Sequence, residues 1–138
     1  MWWIFALLSA LFAALTAIFA KIGIKGVNTD LATAIRTVII GILTWSIVLF
    51  GGHTAGISNL TKQNWTFLIL SGITTGLSWL FYFRALQIGQ VAQVASVDKL
   101  SVALAIVFSV VFLHENITLK MVVGALLIIA GTIILVWE

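Results

Sequence analysis

The sequence predicts an all-α integral membrane protein that crosses a bilayer five times. Two observations carry that reading. Of 138 residues, 62% are hydrophobic and 8% are charged, whereas a soluble domain uses about 25% charged residues to cover its surface. The apolar residues are also gathered into five runs, each near the ~20 residues that a helical span requires. Five spans use most of the chain, so one compact transmembrane domain over residues 1–138 with short connections is expected.

The punctuation between the runs sets the elements. The first span covers about residues 2–20 and closes at Lys21-Ile22-Gly23-Ile24-Lys25-Gly26, where basic side chains can snorkel and glycines can end a helix. Asn28-Thr29-Asp30 is a helix N-cap signal that opens the second span, about 31–50, which ends at Gly51-Gly52-His53. A polar segment from Ser58 to Asn64 precedes the third, about 65–86. Gln87-Ile88-Gly89-Gln90 then turns the chain into the fourth, about 91–113, and His114-Glu115-Asn116 leads to the fifth, about 119–137. An odd number of spans places the termini on opposite sides. Met1-Trp2-Trp3-Ile4-Phe5 lacks the basic region of a cleaved signal peptide and reads as part of a retained span. Trp2, Trp3, Trp65 and Trp137 lie near span ends, as an interfacial aromatic belt requires.

Composition also excludes function classes. The net charge is +3, but its basic residues are scattered between apolar runs and form no stripe for a nucleic acid. There is no cysteine, and His53 and His114 lie in connections without metal-ligand spacing, so no metal site is expected. No nucleophile-and-base pairing or phosphate-cradling loop is present, which reads against an enzyme and against a cofactor.

Small residues mark the faces on which spans can meet, because helices in lipid associate through close backbone approach. Gly72 and Gly76 lie four apart beside Ser71 and Thr75 in the third span, and Gly124 and Gly131 occur in the fifth. The second span aligns Thr33, Thr37, Gly41 and Thr44. Such stripes fit either packing or the lining of a cavity.

The candidate site centres on charge inside the spans. Asp98-Lys99 falls about two turns into the fourth span, where an uncompensated charge costs about 2.5 to 3.5 kcal/mol at the helix centre and less nearer the interface. Neighbours on a helix point about 100° apart, so the two are not expected to neutralise each other along one face. Asp98 shares its face with Ser101, Ala105 and Ser109. Arg84, near the end of the third span, is expected to reach toward Asp98. Two readings stay open: an ion pair that locks the hairpin, or a site for substrate or coupling ion. Trp79 and Tyr82, on the approach to Arg84, offer rings for packing or for stacking on a substrate. Glu115 is expected to form a solvated pair with Lys120.

Several separated motifs resemble the EamA domain of the drug/metabolite transporter superfamily, in its short bacterial and archaeal five-helix members. They are Leu15-Thr16-Ala17-Ile18-Phe19-Ala20-Lys21 with Ile35-Arg36 downstream, then Tyr82-Phe83-Arg84-Ala85-Leu86, then Val94-Ala95-Ser96-Val97-Asp98-Lys99-Leu100-Ser101. Phe112-Leu113-His114-Glu115, with Gly124 and Gly131 after it, completes the match. Ser96 stands where the family often has proline, and the chain contains no proline, so a proline-broken fourth helix is not expected.

The resemblance implies a transporter that moves a small polar or amphipathic metabolite or drug by alternating access in the cytoplasmic membrane of a prokaryote. Longer relatives carry two such units in opposite orientations, which makes a homodimer the expected assembly, with an antiparallel arrangement open. Lys21, Lys25, Arg36 and Arg84 on one side outnumber Lys62 and Lys120 on the other. That weak bias favours the C-terminus inside and is compatible with dual insertion. The basic cluster of Lys21, Arg36, Arg84 and Lys99 leans toward an anionic or zwitterionic substrate. The alternative is a non-transporting assembly or regulatory subunit whose buried ion pairs fix packing.

Overall fold

The computed structural model describes residues 1–137. Its helices are α1 (Trp2–Gly23), α2 (Thr29–Phe50), α3 (Lys62–Ile88), α4 (Val91–Asp98), α5 (Leu100–Leu113) and α6 (Leu119–Val136), with a 3₁₀ helix at His53–Asn59. Five helical stretches are long and apolar enough to cross a membrane, Val91–Leu113 counting as one although it is interrupted at Lys99. The protein is therefore an all-α, multi-pass membrane protein.

Local chemistry explains the helix starts. Asn28 Oδ1 accepts from the Asp30 and Leu31 amides at 2.9 and 3.1 Å, so the cap read from the sequence is formed. Thr61 and Asn64 cap α3 reciprocally, each side chain accepting from the other's amide at 3.2 Å. Thr118 Oγ1 accepts from the Met121 amide at 3.3 Å at the start of α6. These caps let α2 and α3 begin before the apolar runs do, because polar residues at the interface keep their hydrogen bonds while the backbone stays helical.

The chain forms two compact units. One holds Met1–Phe19 and the segment from Ile88 onward, in which α6 packs against both α4 and α5. The other spans Ala20–Gln87 and pairs α2 with α3 in antiparallel register: Asp30 lies against Arg84, and Arg36 against Trp79 and Phe83. Ile24, Phe83 and Leu86 are buried in this second unit together with Thr29 and Thr33. Large apolar side chains such as Ile42, Phe81 and Leu127 face outward, the arrangement that lipid rather than water rewards.

Hydroxyls inside the spans are largely satisfied by their own helices. Thr33, Thr37 and Thr44 donate to the carbonyls four residues earlier, at 2.8, 2.8 and 2.9 Å, and Thr74 and Thr75 do the same at 3.0 and 2.8 Å. This is the usual way to keep a short polar side chain in hydrocarbon. The glycine faces are open: a Cβ built at Gly41, Gly72, Gly76, Gly124 or Gly131 meets no atom within 4 Å. The close helix approach expected at Gly72 and Gly76 is thus not made among the described residues.

Candidate functional site

The candidate residues fall into two groups, one in each unit. In Ala20–Gln87, an interfacial layer comes first. The Arg84 guanidinium meets both carboxylate oxygens of Asp30, at 3.1 and 3.2 Å, with the two side chains 61% and 52% exposed. The sequence offers Asp98 as a residue toward which Arg84 can reach; within its own unit Arg84 pairs with Asp30. Asp30 reads in sequence as part of a helix cap, and it does sit in the first turn of α2, where a carboxylate also complements the helix dipole. Antiparallel pairing of α2 with α3 brings this first turn to the last turns of α3.

The same layer ties the end of α1 to the end of α3 in both directions. Lys21 Nζ donates to the Leu86 carbonyl at 2.6 Å, satisfying one of the acceptors that a helix C-terminus leaves over. Gln87 Nε2 donates back to the Ile24 and Val27 carbonyls at 3.3 and 3.0 Å. Gly26, at φ 71°, makes the left-handed turn between them.

Arg36 lies deeper, about 10 Å along α2 from its first residue at the helical rise. Its guanidinium carbon is 4.7 Å from the Trp79 ring centroid and 4.8 Å from that of Phe83. Such contacts contribute about 0.5 to 2 kcal/mol, the upper end when desolvated. Trp79 and Phe83 are four residues apart, so one face of α3 offers both rings. Sequence reasoning paired Trp79 with Tyr82 and missed Phe83; the i, i+4 spacing opposite an arginine was the available signal. Tyr82 packs edge-on to Phe83, with centroids 6.1 Å apart.

In the other unit, Lys99 Nζ stands 3.5 Å from Asp98 Oδ2, so these neighbours do pair. The pair stands at an interruption of the helix. Lys99 leaves the α-helical course, its amide and its carbonyl each joining i→i−3 bonds, to Ser96 and from Val102, at 3.1 and 3.0 Å. Ser101 lies beyond the interruption in the first turn of α5, so the continuous register that put it on the face of Asp98 is broken. The fourth span is therefore interrupted without proline. Ser96, at the position where the family often has proline, supplies the carbonyl that accepts from Lys99, and the buried Thr132 of α6 donates its hydroxyl to the same carbonyl at 3.1 Å. Thr132 went unread in the sequence because a lone threonine in an apolar helix carries no signal for a contact 36 residues away.

Glu115 forms no ion pair with Lys120; the ion pairs among the described residues are Asp30–Arg84 and Asp98–Lys99. Glu115 instead takes part in the end of α5, its amide donating to the Ser109 carbonyl at 3.3 Å across His114.

The EamA-like transporter family model matches residues 1–137. This chain belongs to the EamA-like transporter family. As an EamA-like protein it shares the family's general activity, membrane transport of the drug/metabolite type. It is 48% identical over 134 residues to an uncharacterized transporter in the cobO 3′ region of Sinorhizobium sp., covering 97% of this chain and 95% of that one. It is 30% identical over 132 residues to an uncharacterized protein of Methanocaldococcus jannaschii, covering 96% and 93%. The uncharacterized transporter YvbV of Bacillus subtilis is 38% identical over 64 residues, which make up 46% of this EamA-like chain but 21% of YvbV. No solved structure matches this chain.

Proposed function

We propose that this EamA-like protein moves a small polar or amphipathic metabolite or drug by alternating access, as a homodimer in the cytoplasmic membrane of a prokaryote, with residues 1–138 acting as one transmembrane domain. The observation that carries the reading is the interrupted fourth span. Transporters build their sites from discontinuous helices, where backbone acceptors and charged groups stand at membrane depth. Here the interruption places the Asp98–Lys99 pair within a span whose flanks are apolar.

What supports the dimer is twofold. Relatives matched over 95% and 93% of their length show that chains of one unit recur, whereas YvbV, of which 64 residues are 21%, is more than twice as long as this chain. Open faces at Gly72, Gly76, Gly124 and Gly131 are also surfaces that a second copy can approach closely. An antiparallel pair reproduces the inverted arrangement general among transporters. A thermal-stabilisation screen of purified protein against amino acids, nucleotides, organic acids and cationic dyes, followed by flux of any stabilising compound, tests the function. Stabilisation without flux would favour a non-transporting subunit.

A further inference from the structure

We infer that Arg36 receives the carboxylate of the transported substrate, in a seat formed by its guanidinium against the rings of Trp79 and Phe83. This rests on the transport reading and names the chemical class that the path accepts. Each of the other cations just described is directed at an oxygen: Lys21 at the Leu86 carbonyl, Arg84 at Asp30, Lys99 at Asp98. Arg36 differs. Its guanidinium lies over the two aromatic rings with the Tyr82 phenol also near enough to interact electrostatically, and no carboxylate among the described residues forms an ion pair with it.

A guanidinium presents ring-facing surfaces and a polar edge. Rings stacked on the former leave the edge for a ligand, and its paired N–H donors match a planar carboxylate bidentately. Arg36 is half-buried and lies further along α2 than the Asp30–Arg84 pair, within the second span. Charge balance selects the class. One guanidinium neutralises one carboxylate, whereas a phosphate dianion would carry excess charge into the span, where uncompensated charge is costly.

The chain contains two arginines, Arg36 and Arg84, so the Nε–Hε resonances of ¹⁵N-arginine-labelled protein give two signals, assigned with Arg84→Lys. The protein in phosphatidylcholine nanodiscs is titrated with acetate and benzoate, and with acetamide and benzamide as neutral isosteres at matched ionic strength. The expected result is a saturable shift of the Arg36 signal with the carboxylates alone, an unmoved Arg84 signal, and a weaker response in Trp79→Leu. Three results overturn the inference: no saturable shift with either carboxylate, an equal shift with the amides, or a shift that appears only when phosphatidylglycerol is added, which would assign Arg36 to lipid headgroups. The titration reads binding without transport. Flux by a protein whose Arg36 signal is silent would overturn this inference and leave the transport reading standing, while a carboxylate response without flux would support the seat and count against transport.

Discussion

The Thr132 hydroxyl donates to the Ser96 carbonyl at 3.1 Å, joining α6 to the turn at which the fourth span is interrupted. Ser96 also donates its own hydroxyl to the Ala92 carbonyl at 2.7 Å, so the last turn of α4 is held on both sides. Removing the Thr132 contact leaves the carbonyl with one donor fewer inside the span. Thr132→Val should lower the unfolding free energy in detergent by about 0.6 to 1 kcal/mol, the usual worth of such a bond. Thr132→Ser, which keeps the hydroxyl, should restore most of it. A loss in Thr132→Ser with none in Thr132→Val would show that the methyl packing of Thr132 matters rather than the hydrogen bond.

Asp30 and Arg84 should couple to each other and Arg84 should not couple to Asp98. Both partners of the pair are more than half exposed, so a double-mutant cycle of Asp30→Asn and Arg84→Gln is expected to return a coupling below about 1 kcal/mol. The corresponding cycle with Asp98→Asn should return none. A larger coupling of Arg84 with Asp98 would contradict the pairing found here.

The open glycine faces predict a separation between folding and assembly. Because a Cβ at Gly72 or Gly76 meets nothing within 4 Å, Gly72→Ile and Gly76→Ile should leave the thermal stability of the single chain nearly unchanged while abolishing cross-linked dimers in native membranes. Dimers that persist in both variants would place the second copy on another face.

His114 adopts φ 55°, a left-handed conformation, at the C-cap of α5. A residue with a Cβ pays roughly 1 to 2 kcal/mol there. His114→Gly should therefore raise stability by up to about 1 kcal/mol, since part of that strain is offset by the greater chain entropy of glycine. A loss of stability in thermal unfolding would mean that the imidazole makes a compensating contact.

The five spans and the Asn28 cap were legible because hydropathy and capping are local properties. The family followed from motifs whose residues stand in order along the chain. What escaped was pairing across distance. Asp30 looked like a cap residue, and its ion pair with Arg84, 54 residues away, appears only when α2 and α3 lie antiparallel. The interruption at Lys99 was hidden because proline is the sequence mark of a broken helix, and here two i→i−3 bonds and a hydroxyl from α6 stand in its place. Asp98 also pairs with Lys99 beside that interruption, against the expectation from a regular helix. Arg36 was visible as a cation, but its seat required knowing that Trp79 and Phe83 share a face opposite it.

Counterflow in proteoliposomes tests the account most directly. Vesicles reconstituted with the protein are loaded with a compound that stabilises it, and uptake of the labelled compound from outside is followed against protein-free vesicles. Alternating access predicts saturable uptake that unlabelled compound inside accelerates. Uptake no greater than in protein-free vesicles, for every compound that stabilises the protein, would contradict the account.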